Sequence, residues 1–414
     1  MTGGVGRVDF DLIIVGGGMV GASLACALGN TALRIAVIEA VPLQAPSQPS
    51  YDDRSIALAY GSKRIFTGMG LWSSLQAGVT AIKKIHVSDR GHFGMVHMDA
   101  ADSACEALGY VAESRTLGRV FAARLAALDN VELLCPAELV ALENDPDAVC
   151  VELLGPNGPQ KLRTRLLVGA DGGNSLVRRL AGIEVTRRDY GQSAVIANIT
   201  PSHPHNNIAY ERFTPTGPVA LLPLSGRRCS LVWTVHRGQE DGLLALDEPT
   251  FLARLQAHFG YRLGMLEKVG CRRSYPLSLM MARPQGAPGR LALIGNAAHS
   301  LHPIAGQGFN LGIRDVAALA EVLNVAATQG QDIGTAAVLA QYQSWRQRDQ
   351  RRVAALTDSL VHLFSNKLPP LVLARNLGLA VLDLLPSARR SLMRQTMGLT
   401  GRLPRLARGL PLSE

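Results

Sequence analysis

The chain has 414 residues with a formal net charge of +9, a hydrophobic fraction of 47% and a charged fraction of 18%. That composition excludes a disordered chain, and the length exceeds what one hydrophobic core usually supports, so two domains are expected. The six cysteines show no CxxC spacing and the ten histidines no HExxH pattern, which excludes a disulfide framework and a metal site of that kind.

In chain order, DLIIV (11–15) predicts a buried strand, GGGMVG (16–21) a tight turn, and VGASLACALG (20–29) a helix. This strand–turn–helix context is what a dinucleotide fingerprint needs. Gly16 makes the turn, Gly18 admits the backbone to a pyrophosphate, and Gly21 lets the helix pack closely. The next strand, RIAVIEA (34–40), carries Glu39 near its end, where a carboxylate accepts from an adenosine ribose hydroxyl and repels a ribose 2′-phosphate. No basic segment followed by an apolar core precedes the first strand, so no secretory signal is expected and a cytoplasmic location is. QAPSQPSYDD (44–53) reads as an exposed loop.

A second segment, GADGGNSLVR (169–178), follows an apolar strand; Asp171 can brace its turn, and Arg178 follows at helical spacing. Between residues 181 and 284, short runs such as AVIANI, PVALLPL and CSLVWTV alternate with turn signals, predicting a mostly antiparallel sheet. A third segment, GNAAHSLHPIAGQGFNLG (295–312), places a glycine-rich loop after the strand LALIG and before a long helix. The unpaired N–H groups at such a helix start favour negative charge, which suits the electron-accepting ring of a flavin. Three segments converging on one cofactor point to FAD.

With those segments the chain resembles the FAD-dependent aromatic hydroxylases (monooxygenases), and within them the ubiquinone-biosynthesis hydroxylases. DDRSIALAYGS (52–62), IHVSDRGHFG (85–94), AVIANI (194–199), ERFTPTGPVALLPL (211–224), TDSLVHLFSN (357–366) and HPIAGQGFNLG (302–312) carry the likeness, which runs over almost the whole chain. The pattern is most similar to the 2-octaprenyl-6-methoxyphenol hydroxylase branch. The resemblance implies an α/β fold with a Rossmann-like FAD-binding domain (1–75, 107–180, 285–350). It also implies an inserted β-sheet substrate domain (76–106, 181–284) and a basic C-terminal helical region (351–414). It implies FAD as cofactor, NAD(P)H as electron donor and O2 as co-substrate. The substrate is then a 2-polyprenyl-6-methoxyphenol, hydroxylated to the 1,4-benzoquinol.

The implied cofactor-binding residues are Gly16, Gly18, Gly21, Glu39, Arg54, Arg115, Asp171, Gly295, Asn296, Pro303, Gly306, Gln307, Gly308, Phe309 and Asn310. His302, Pro303, Gly306 and Gln307 form the expected catalytic loop, without an identified base, and His302 and His299 have an ordinary hydrogen-bonding role as their alternative. Two departures from the class stand out. Asn296 occupies a position that is usually Asp and keeps an acceptor oxygen without the charge. Ser114 and Gly118 occupy the positions of an Asn and a Gln, so Arg115 or Arg119 is the expected substitute contact, a solvated Arg on the helix being the alternative. Hydroxylation at another ring carbon, or of a non-quinone phenol, stays open. A prenyl carrier without redox turnover is the reading from a different class, disfavoured by three intact glycine segments.

Charge is concentrated at the C-terminus, where residues 341–414 hold 12 Lys and Arg against 4 Asp and Glu, a net +8. No apolar run there reaches the roughly 18 residues needed to span a bilayer. Residues 367–408, with Arg375, Arg389, Arg390 and Arg394, are expected to dock on anionic membrane or on other ubiquinone-biosynthesis proteins, a solvated packing face being the alternative. Nucleic acid is not expected as a partner, since no recognised module accompanies the basic residues.

Overall fold

The computed structural model describes residues 8–42, 54–283, 289–366 and 368–413. The loop expected at 44–53 lies outside the described residues. The strand Phe10–Val15 is apolar and buried at successive positions from Leu12 on because it is an inner strand of a sheet covered on both faces. It pairs in parallel with Ile35–Ile38 on one side and Gly158–Gly169 on the other. Val131–Leu134 and Leu291–Leu293 extend the parallel set, while Val149–Gly155 and Glu138–Asn144 add an antiparallel meander.

Register brings the three glycine segments together. Val15 stands opposite Gly169, and Gly169 opposite Leu293. All three segments therefore leave the carboxyl ends of adjacent parallel strands, the edge where α/β sheets bind ligands. Arg178 is buried behind them. Its guanidinium donates to the carbonyl of Gly173 and to that of Ala297, both at 2.8 Å, tying the second segment to the third.

A nine-stranded sheet, largely antiparallel as expected, forms the second layer. Its strands read with period two. Val195, Ile199, Val219, Leu221, Leu231 and Trp233 pack against Phe251, Leu255 and Phe259 of the helix Glu248–Phe259. Asp247 caps that helix by accepting from the Thr250 N–H at 3.1 Å, with proline in its first turn. Truncating one of these buried leucines to alanine would cost roughly 2–5 kcal/mol.

The expected domain boundaries shift in two places. Val79–Ile82 pairs with Gly109–Glu113 in a three-stranded sheet on the dinucleotide side, so the insertion begins near residue 84 rather than 76. Lys84–Asp89 then joins the large sheet in parallel with Ile208–Thr214. The helix Ala336–Ser365 runs unbroken through the boundary placed at 350. Beyond it, Pro369–Leu384 and Pro386–Thr396 are two helices bent by 98° at a proline-marked break.

The basic tail is also less free than its composition suggests. Arg375 is buried, bonded through Nε to Asp89 at 2.9 Å and through Nη1 to the Asn366 carbonyl at 2.8 Å. Arg389 pairs with Asp102 at 3.0 Å. Of the four arginines expected to face a membrane, only Arg390 and Arg394 are exposed. The other two hold the Pro369–Leu384 and Pro386–Thr396 helices to the body of the protein.

Candidate active site

Between the two layers lies a cavity of about 1960 Å³. Gly16 turns the chain at φ +102°, and a Cβ there would meet the Ala170 carbonyl oxygen at 2.6 Å. A Cβ on Gly21 would stand 1.9 Å from the Gly16 oxygen, so only glycine lets the helix Met19–Ala27 start this close to the strand end. Gly18 is the residue before that helix and lines the cavity; no side chain caps the helix start. The long helix Gln307–Thr328 begins the same way, behind Gly306 at φ +60° and without a side-chain cap. Two uncapped helix starts on one cavity offer backbone N–H groups and positive dipole ends to an anion.

Glu39 sits one residue past its strand and lines the cavity. Its Oε2 accepts from the Gly17 N–H at 2.7 Å and its Oε1 from the Val41 N–H at 2.9 Å, which fixes the carboxylate at the cavity edge. Asp171 accepts from the N–H groups of Leu176 and Val177 through Oδ2, at 2.7 and 3.0 Å. Its Oδ1 is buried without a protein partner, and Asp171 lines the cavity. Gly172, Gly173 and Gly308 border open space. An orphaned acceptor, a backbone-held carboxylate and two uncapped helix starts fit a dinucleotide, and these residues would hold the adenosine and pyrophosphate of FAD. Arg54, Ser114, Arg115 and Asn296 line the same cavity, with Arg115 and Asn296 exposed towards it. Arg119 is absent from its walls.

Pro303, Gly306, Gln307, Gly308, Phe309 and Asn310 form the loop wall, where a flavin ring would lie. Their side chains are not equally available. Asn310 is buried and fully used: Oδ1 accepts from the Ala59 N–H and the Ser62 hydroxyl, both at 2.7 Å, and Nδ2 donates to the carbonyls of Ala57 at 2.8 Å and Gly306 at 2.6 Å. It clamps the loop to the strand Ser55–Ala59. Gln307 donates to the Thr396 carbonyl at 3.2 Å, joining the loop to the C-terminal helix.

The two histidines expected near the ring do not line the cavity. His302 is fully buried, edge-on to Tyr190 with ring centroids 5.3 Å apart, and burial pushes its pKa down to about 4. It is neutral at physiological pH and packs behind the loop, away from the cavity wall. His299 is paired with Asp315 in the core.

Several cavity residues lie outside the glycine segments. Ile196, Asn198, Thr200, Ala220, Leu222, Ser230 and Val232 line it from the large sheet, on the face opposite the apolar core described above. Strand alternation could have found them once the buried face was fixed. Across the cavity edge, Arg228 bonds Glu113 at 3.0 Å and the Ser55 and Ser230 hydroxyls share a hydrogen bond, joining the layers. One stretch of the wall is apolar: Ile85, Val87, Val96, Met98 and Phe213 from the sheet, Leu360 and Phe364, then Leu379, Leu382, Met393 and Met397 from the last two helices and the residue that follows them.

Comparison with known proteins decides the family. The FAD binding domain family matches residues 9–357. The chain is 42% identical to ubiquinone hydroxylase UbiL of Rhodospirillum rubrum, over 100% of this chain and 95% of that protein. The chain belongs to the FAD-dependent ubiquinone-biosynthesis hydroxylases. It is also 35% identical to 3-demethoxyubiquinol 3-hydroxylase of Escherichia coli, over 94% of this chain and 98% of the relative. With the human mitochondrial ubiquinone biosynthesis monooxygenase COQ6 it shares 31% identity, over 93% and 92% of the two chains. In fold it matches p-nitrophenol 4-monooxygenase PnpA of Pseudomonas putida with a TM-score of 0.78 at 20% identity, covering 95% of this chain and 98% of that one. The hydroxylase thus has an aromatic-hydroxylase fold and is an FAD-dependent monooxygenase by family. FAD, when bound here, would supply the redox chemistry of the monooxygenase, with the two layers of the cavity holding its ring.

Proposed function

We propose that this hydroxylase oxidises the ring of a 2-polyprenyl-6-methoxyphenol to the corresponding 1,4-benzoquinol, with NAD(P)H as electron donor and O2 as co-substrate. One observation supports the substrate class: part of the wall beyond the loop, including Ile85, Met98, Phe364, Leu382 and Met397, is apolar and suits an isoprenoid tail. Burying such a tail contributes about 0.8 kcal/mol for each methylene removed from water. A compact polar phenol would leave that wall unused.

Hydroxylation at a different ring carbon is the second reading, favoured by the 35% identity to the Escherichia coli 3-hydroxylase. Mass spectrometry of the quinone precursor that accumulates in a deletion strain tests both. Accumulation of the 2-polyprenyl-6-methoxyphenol supports the proposal; accumulation of a later, already para-hydroxylated precursor moves the reaction to another carbon.

A further inference from the structure

The helix Pro369–Leu384 is apolar on two opposite faces. Leu379 and Leu382 look inward and line the cavity. Outward, Leu373 is 55% exposed, Leu377 50%, Val381 50% and Leu384 77%, at spacings of four, four and three residues that place them on one face. Both charged residues of this helix point away from that face: Arg375 is buried on Asp89, and Asp383 accepts from the His97 N–H at 2.7 Å. Midway along the helix, the hairpin between the edge strands lies against it through the Gly94 N–H, which donates to Asn376 Oδ1 at 2.8 Å. Phe93 and Met95, on either side of Gly94, are exposed there as well.

Four large apolar side chains exposed on one helix face are uncommon on a soluble monomer and mark a contact with an apolar phase or partner. Charge selects between them. Residues 386–408, which follow directly, contain six arginines and no acidic residue, and Arg390 and Arg394 are exposed on the next helix. Apolar side chains followed in the chain by exposed arginines match the acyl layer and the headgroups of an anionic bilayer. No single helix is long and apolar enough to cross a membrane among the described residues.

We infer that the outer face of Pro369–Leu384, with Phe93 and Met95, lies in the interface of an anionic lipid bilayer and puts the apolar end of the cavity next to the lipid. This deepens the polyprenyl reading above and rests on it for the substrate that would cross from lipid to cavity. Apolar insertion is then the main contribution, with Arg390 and Arg394 adding a salt-sensitive part.

The test is co-sedimentation of the FAD-loaded, full-length protein with vesicles of phosphatidylcholine alone and of phosphatidylcholine with phosphatidylglycerol. The wild type is expected to sediment with both, and more with the anionic vesicles. The Leu373→Glu, Leu377→Glu, Val381→Glu variant should lose binding to both by about tenfold or more. Arg390→Glu, Arg394→Glu should lose only the extra, salt-sensitive binding. FAD content, melting temperature and turnover of a short-chain soluble phenol should be unchanged in both variants, showing that the fold survives. Unchanged vesicle binding in the leucine variant overturns the inference. So does a wild type that ignores vesicles but self-associates in light scattering, with the leucine variant monomeric, since the face then docks a second copy. Failure of short-chain turnover in the wild type, with vesicle binding intact, sinks the substrate reading and leaves the docking face standing.

Discussion

His299 and Asp315 are bonded in the core, with His299 Nε2 2.5 Å from Asp315 Oδ2 and neither side chain exposed. Asp315 also accepts from Arg346 Nε at 2.8 Å and from Gln350 at 3.0 Å. Burial opposes ionisation of this carboxyl, yet the charges of His299 and Arg346 hold it well below the usual carboxylate range. Asp349 bridges on to Arg314, so one network fixes the long helix to the strand that precedes the loop.

Removing Arg346 takes the fully buried cationic partner from Asp315 and one partner from Asp349. Arg346→Met is therefore expected to cost roughly 3–5 kcal/mol of folding stability, while Arg348→Met, at an exposed position of the same helix, should stay within about 0.5 kcal/mol. Urea unfolding of the two variants checks this. Equal midpoints would mean that the network is not under load.

The acid limb of stability is expected to carry a mark of His302. Its folded pKa of about 4 lies below the ordinary 6.5, so between those values the unfolded chain binds more protons than the folded one. The stabilisation is complete above pH 6.5 and declines as pH falls towards 4, by up to about 3 kcal/mol from this residue. His302→Phe keeps the ring packing against Tyr190 and removes the titration. Between pH 7.5 and 4.5 the wild type should lose more stability than this variant in thermal melts, and parallel losses would contradict the buried neutral assignment.

Asn296 faces the cavity where the class usually has Asp. Asn296→Asp should bind FAD about as well as the wild type, and Asn296→Leu should lose on the order of 1–3 kcal/mol, a hydroxyl of the cofactor being left without its acceptor. Fluorescence titration of the apoprotein with FAD reads both. Equal affinity in all three proteins would place the side chain off the cofactor.

Two glycines of the site should fail differently. Gly18 lines the cavity at φ −62°, a conformation open to any residue, so Gly18→Val should cut FAD occupancy and leave the apoprotein melting temperature unchanged. Gly306 sits at φ +60° with Ala57 Cβ 2.7 Å from where its own Cβ would be, so Gly306→Val should lower both, the strain alone costing about 1–3 kcal/mol. Full FAD occupancy in either variant would show that the position is misassigned.

How much of this the sequence made legible depends on range. The first glycine segment is local: strand, turn, helix and the strand ending before Glu39 all fall within 42 residues, and each element has its own pattern. The second and third segments are each legible for the same reason. Their meeting is not, because it rests on the register Val15, Gly169, Leu293 across distant strands. The pairing of Lys84–Asp89 with Ile208–Thr214 is equally non-local, which is why the insertion was placed eight residues early. Arg375 misled for a different reason. A lone arginine among leucines reads as solvated, and only the packed hairpin carrying Asp89 shows that it is buried. His302 reads as a loop residue near the ring, whereas the turn at Pro303 carries it behind the cavity wall.

The central claim is that this chain transfers one oxygen atom of O2 to a polyprenyl phenol. The most direct measurement is a single turnover of the reduced, FAD-loaded protein with 18O2 and a short-chain 2-prenyl-6-methoxyphenol, followed by mass spectrometry of the product. The account predicts a benzoquinol bearing one 18O atom at the carbon para to the phenol oxygen. Reoxidation that yields only hydrogen peroxide, or a product whose new oxygen comes from water, would contradict it.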